Sequence, residues 1–272
     1  MSYENFKPNI WTAHIERTLR QRTILTDFCN TNFSGQPAYG NTVNFLGAGV
    51  PTVGRYSQTD GLGDPQAVQG TVIPLQITEQ NYFNFLVDDI DKAQTSPDLM
   101  ASQMEEAAGE LAKYRDKYIA ELATTAENSE EVTEAITTGA RIKKAIDAGL
   151  CKLRENNVGP DKNVRIELPY WAYQLFKDHL VEAKTANDAL LKNGTIGMYD
   201  GCAVAYSNNI HNDETYDYIM IRTDKAIALA AQVSKTEAYR PDKFFADAVR
   251  GLDVFGAKIV RQNEIYVIKA HK

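Results

Sequence analysis

Four histidines and three cysteines are the residues best suited to metal or nucleophilic chemistry, and their spacing supports neither. His14, His179, His211 and His271 are scattered, with no His-x-x-x-His or His-Glu-x-x-His pair to set two imidazoles on one metal. Cys29, Cys151 and Cys202 are odd in number and form no Cys-x-x-Cys, so neither a disulfide framework nor a thiolate zinc site is indicated. Asp88, Asp89 and Asp91 lack the glycine and distal glutamate of a calcium loop and read as a solvated edge. Gly47-Ala48-Gly49 and Gly61-Leu62-Gly63 open no phosphate-binding turn, because no Gly-Lys-Ser/Thr follows and no Gly-x-Gly-x-x-Gly forms. Asn193-Gly194-Thr195 matches a glycosylation sequon but reads more simply as an Asn-Gly turn. The expectation is a chain with no catalytic, cofactor-binding or metal-ligating residues. A hydrolase built on Cys29 or Cys202 with His14 or His179, under a Gly-rich lid, stands as the weakest alternative.

The elements around these residues describe a different kind of protein. The 272 residues fit one large domain or two small ones. Lys+Arg total 29 against 36 Asp+Glu, a net charge of -7, which gives no general attraction for nucleic acid. No stretch is apolar for the ~18 residues that a spanning helix requires. From Asn9 to Phe28 the apolar positions Ile10, Trp11, Ile15, Leu19 and Ile24 follow a helical spacing. Between Gly35 and Pro74 lie eight of the 17 glycines and four of the nine prolines, with only Arg55, Asp60 and Asp64 charged. Val43, Phe45, Val53, Tyr56, Val68, Val72, Ile73, Leu75 and Ile77 form β-favouring runs on either side of a Gly-Asp-Pro tip. The pattern is a long two-stranded excursion without a core of its own, whose edges call for cover from another subunit.

Asn81 to Ile90 reads as a buried strand, and Ser96-Pro97-Asp98 as the start of a helix running to about Ala123, ~27 residues and ~40 Å long. Thr124 to Glu131 reads as a hinge. Val132, Ile136, Ile142, Ile146, Leu150 and Leu153 predict a second helix ending near Asn156-Asn157. Strands at Val164–Leu168, Ala203–Tyr206 and Tyr218–Ile221, a helix from Tyr170 to His179, and strand-like sequence after Ala226 complete an α+β chain.

This order of parts resembles the major capsid proteins of tailed double-stranded-DNA bacteriophages, with the Hong Kong ninety-seven capsid fold. The matching stretches are Asn9-Ile10-Trp11, Val87-Asp88-Asp89-Ile90-Asp91-Lys92-Ala93-Gln94, Asn156-Asn157-Val158-Gly159-Pro160, Leu191 to Gly197 running through Gly201 to Ser207-Asn208-Asn209, and Arg250-Gly251-Leu252 with Gly256-Ala257-Lys258. The resemblance implies an N-terminal arm over 1–39, an extended loop over 40–80, a peripheral domain from 81–125 and 236–272 with a spine helix, and an axial domain over 126–235. It implies a structural subunit that assembles with itself into pentamers and hexamers, an icosahedral shell in the virion built in the host bacterial cytoplasm. It further implies a separate scaffold, or cleavage before this start, a portal, and in some cases a decoration protein. The DNA is enclosed without sequence-specific binding, and no membrane is involved. No lysine lies between Lys7 and Lys92, so the loop-lysine cross-links of some relatives are not expected from this extended loop. Arg55, Tyr56, Asp60 and Trp11 are the expected inter-subunit contacts. A compartment shell of the encapsulin type, which shares the fold, is the runner-up.

Overall fold

The computed structural model describes residues 23–32, 42–47, 53, 71–88, 99–182, 191–192, 195–243 and 245–272. Thirteen strands and three α-helices are assigned among them, sorted into two sheets of size and two small hairpins.

The longest helix, α1 (Leu99–Glu121), is rich in Ala, Glu, Leu and Met with no interior proline, a composition with high intrinsic helix propensity. A 3₁₀ turn, Leu122–Thr125, extends it close to the expected end. One side of α1 carries Met104, Ala108, Leu111 and Ala112 onto Phe83 and Phe85 of strand β3 (Glu79–Asp88). β3 is the outer strand of an antiparallel sheet in the order β11-β12-β3, with β11 spanning Ile227–Tyr239 and β12 Ala246–Ile259. The expected buried strand at 81–90 is therefore half-buried. Phe83 and Phe85 face the helix, while Tyr82 and Leu86 point to solvent because period-two alternation sends neighbouring side chains to opposite faces.

Strands β1 (Thr42–Gly47) and β2 (Thr71–Gln76) pair antiparallel from Thr42 opposite Gln76 to Gly47 opposite Thr71. They are the root of the excursion predicted between residues 40 and 80. Val43, Phe45, Leu75 and Ile77 bury themselves against Ala228 and Ala230 of β11, so the root is seated on the three-stranded sheet.

The second sheet has the order β4-β13-β10-β5-β9-β8. Its strands are β4 (Ser129–Glu131), β5 (Val164–Leu168), β8 (Met198–Tyr199), β9 (Cys202–Tyr206), β10 (Asp217–Thr223) and β13 (Ile265–Ala270). A small hairpin, β6 (Leu191–Lys192) with β7 (Thr195–Ile196), flanks the expected Asn193-Gly194 turn. Helices α2 (Gly139–Glu155) and α3 (Tyr170–Glu182) cover one face through Ile142, Ile146, Leu150, Phe176 and Leu180 against Ile166, Ile219, Ile221 and Ile268. Helix α2 ends as read: Asn157 takes a left-handed φ of 63°, and the Val158 amide bonds back to the Leu153 carbonyl.

Four expectations require correction. Val132 and Ile136 precede α2 rather than opening it, because their amides bond to the Lys269 and His271 carbonyls beside β13. The expected hinge at 124–131 contains β4, paired in parallel with β13. The helix expected over 9–28 lies outside the described residues up to position 22, and its last part holds only a 3₁₀ turn at Thr26–Phe28, since side chains from elsewhere take up the backbone groups there. Sheet membership also differs from the expected division at 235: β11 pairs with β12 from Ile227 onward, and β13 joins the six-stranded sheet.

Candidate functional site

The cysteines and histidines among the described residues fall in separate settings. Cys29 is buried, and burial lifts its thiol to about 11, far from the reactive thiolate. Cys202 is buried with its thiol also raised by desolvation, and Cys151 lies exposed on α2. His179 packs against Gly139, His211 against the Tyr218 ring and His271 against the Tyr216 ring, while His14 lies outside the described residues. No group of His, Cys, Asp and Glu suited to a metal is present among the described residues.

Buried charges serve architecture. Arg222 donates to both Glu167 oxygens at 2.8 and 2.9 Å and to the Leu25 and Phe28 carbonyls at 2.7 and 2.6 Å. Burial by itself lifts the Glu167 carboxyl above its ordinary range. Burial likewise works against the Arg222 charge, yet the facing carboxylate outweighs it and holds the guanidinium above its usual value. Both Glu167 oxygens accept N–H bonds from a guanidinium that keeps its proton, the arrangement of an ionised carboxylate facing a charged arginine. Arg115 of α1 makes a forked contact to the buried Asp253 of β12 and lies over Phe255, fixing the helix to its sheet.

The features left for function are surfaces. The solvent face of β11-β12-β3 carries Tyr82, 78% exposed, Leu86 at 53%, Leu252 and Tyr239, with Phe245 at 84% at its margin. Polar contacts cross this face: Tyr239 donates to Asn84 at 3.1 Å, and Arg250 bonds Glu237 at 2.7 Å beneath its stack on Tyr239. Exposed apolar groups grouped this closely mark an interaction surface. Beside them, a groove of about 420 Å³ runs between β3 and α1, lined by residues that include Asn81, Tyr82, Phe83, Leu111 and Tyr114. The buried amide nitrogen of Asn81 has no hydrogen-bond partner among the described residues. β3 is hydrogen-bonded only to β12 among the described residues, leaving ten residues of strand edge on its other side.

The sequence-predicted contacts Arg55, Tyr56, Asp60 and Trp11 all lie outside the described residues. Val53, within the same segment, is described and 94% exposed. Sequence reasoning missed Tyr82, Leu86 and Leu252, because a run apolar on both faces looks the same whether its outer face meets its own chain or another.

No protein-family model matches the chain, and no curated protein does. Solved structures match over nearly its whole length. One, from Mycobacterium phage Che8, is 26% identical, covers 90% of each chain and superposes with a TM-score of 0.73. The capsid structure of the cyanophage P-SCSP1u, 13% identical, covers 92% of this chain and 88% of its own, with a TM-score of 0.74. A virus-like particle from Pyrococcus furiosus, 12% identical, covers 97% and 99% with a TM-score of 0.62. The fold is that of the shell-forming capsid proteins, the Hong Kong ninety-seven type. Several of the neighbours are phage capsids, and the resemblance read from the sequence, to phage major capsid proteins, stands as a likeness of fold.

Proposed function

We propose that this chain is the structural subunit of a phage head, closing with copies of itself as pentamers and hexamers into an icosahedral shell around double-stranded DNA. The observation that carries this reading is the near-full-length match to phage structures, one of them at 26% identity over 90% of both chains and others being phage capsids. Three surface features support it: a hairpin root seated on one sheet, an exposed aromatic and aliphatic sheet face, and a long strand edge beside a groove. Each is a poor solution for a solitary protein and a good one for a tile with neighbours. Many modest contacts of this kind add by multivalency in a closed symmetric assembly.

On this reading α1 is the spine of a peripheral domain with the three-stranded sheet, and the six-stranded sheet with α2 and α3 is the axial domain. Residues 40–80 are the loop laid over a neighbour, with Arg55, Tyr56 and Asp60 in contact, and Trp11 lies in an arm that does the same. The subunit has no catalytic role, is located in the virion, and assembles in the bacterial cytoplasm with a separate scaffold and a portal. The acidic balance of -7 suits a shell that must enclose DNA without gripping it. The same fold occurs in a virus-like particle from Pyrococcus furiosus, so a compartment shell of the encapsulin type is the second reading, and contents distinguish the two. Deleting Val53 to Gln66 tests the loop: closed shells are abolished while a folded subunit remains, and normal shells from the deletion would refute the assignment.

A further inference from the structure

Residues 23–30 are held almost entirely by side chains from two different parts of the molecule. On the α1 side, Asp116 accepts from the Ile24 and Thr26 amides at 2.9 Å each and from the Thr26 hydroxyl at 2.7 Å. On the sheet side, Arg222 of β10 donates to the Leu25 and Phe28 carbonyls, and Arg165 of β5 donates to the Ile24 carbonyl at 2.8 Å while lying 4.2 Å over the Phe28 ring. Asn30 then clips onto β11, its amide bonding the Ile227 carbonyl at 2.8 Å and its carbonyl taking the Leu229 amide at 3.0 Å.

The bonds are reciprocal in what they satisfy. Asp116 is 1% exposed, and the donors to its carboxylate are strap groups. Removing the strap would leave a buried carboxylate without donors and two Arg222 nitrogens without their carbonyls, a costly state. The C-terminal end of α1 also touches the six-stranded sheet directly, through Ile119, Ala120 and Ala123 near Tyr218 and Met220. Leu229, Phe255 and Ile259 of the three-stranded sheet join the same cluster, so α1 and its sheet meet the six-stranded sheet in one core, and the strap adds a second, polar contact at Asp116.

We propose that residues 23–30 form a locking strap that sets the angle between α1, with the three-stranded sheet it carries, and the six-stranded sheet. Asp116 and Arg222 are its positioning residues, and undocking the strap frees α1 to pivot about its Ile119–Ala123 end. The inference does not depend on shell formation and can fail or hold independently of it.

The test uses the full chain with two spin labels. Cys151 is exposed on α2, Glu106→Cys supplies an exposed site on α1, Cys202 is buried, and Cys29, which lies in the strap itself, is replaced by Ala in every variant so that undocking exposes no third thiol. Glu106 lies about 20–25 Å along the helix from the pivot, so a swing of about 10° moves it by ~3–4 Å. Asp116→Asn, which keeps shape but removes the charge, is expected to speed exchange of the Ile24 and Thr26 amides at least tenfold. It should also widen the label-to-label distance distribution at least twofold, with α2 amide protection unchanged. If Asp116→Asn does not fold, Thr26→Val must move both readouts in the same direction by a smaller factor. Faster strap exchange with an unchanged distance distribution would overturn the lock, and undiminished protection of the strap amides in the variants would overturn the role of Asp116.

Discussion

Substituting Gly256 with alanine tests the seating of the extended loop without touching the loop. Gly256 stands in β12 opposite Ala230, where the hairpin root crosses the sheet. A Cβ at this position would overlap the Gln76 carbonyl oxygen and come within 2.9 Å of the Ile77 Cα. Both are backbone, so no rotamer change relieves the clash, and the β2 end must lift by an ångström or more. Overpacking of a rigid site costs about 1–3 kcal/mol. Lifting also begins to expose Leu75 and Ile77, each worth about 1.5–3 kcal/mol when fully buried, and strains the Lys258 contact to the Pro74 carbonyl at 3.1 Å. A total of about 2–4 kcal/mol is expected, most of it local to the root. Hydrogen exchange is the assay: amides of residues 42–47 and 71–76 should lose protection by a factor of ten or more, while those of α2 and β10 keep theirs. Gly197→Ala, where a Cβ meets nothing within 4 Å, is the matched control. If Gly256→Ala leaves the root as protected as in the parent, the packing described here is wrong.

Other perturbations separate architecture from surface. Burial works against the Glu264 charge, but hydrogen bonds from Lys162, Thr223 and Arg261 outweigh it and hold the carboxyl at about 2 against an ordinary 4.5. Because the folded value is depressed, the stabilisation is complete above the ordinary value and is lost as pH falls from about 5 toward 2. Glu264→Gln should therefore cost about 2–3 kcal/mol at pH 7 in denaturant titrations and much less near pH 2, and a pH-independent difference would sink that assignment. Asp253→Ala strands the buried Arg115 and should cost about 3–5 kcal/mol, whereas the double change Arg115→Met, Asp253→Leu should cost clearly less; equal losses would show that the pair is not coupled. Tyr82→Ser with Leu252→Ser should leave the unfolding free energy within about 0.5 kcal/mol per substitution of the parent yet reduce the yield of large assemblies, and unchanged assembly would remove that face from the list of contacts.

What was legible in the sequence was local. Helical spacing from Met104 to Leu122 located α1 to within two or three residues because that helix buries one face, and the β-favouring runs Val164–Leu168 and Tyr218–Ile221 located β5 and β10, strands buried on both faces. The flanks of the excursion were equally plain, since Val43, Phe45, Leu75 and Ile77 are the apolar residues that seat it. The rest depends on pairs distant in the chain. Val132 and Ile136 continue the apolar spacing of α2, but the tail of β13 captures their amides first. Thr26 to Phe28 continue a helical pattern, but Asp116 and Arg222 take the backbone groups that a helix would use. Asp116, Glu167 and Arg222 look like ordinary surface charges in sequence, and only the fold brings them under one strap. The exposed Tyr82 and Leu86 escaped for the opposite reason, since nothing within the subunit distinguishes a face meant for a neighbour from a core.

The most direct test of the central claim is rate-zonal sedimentation of the protein, expressed with its neighbouring genes, followed by electron microscopy of every fast fraction and analysis of the contents. The account predicts closed shells of uniform size holding nuclease-protected double-stranded DNA when the packaging components are present. Uniform shells filled with an enzyme cargo would make it a compartment protein instead, and a chain that sediments only as a monomer under these conditions would contradict the shell reading altogether.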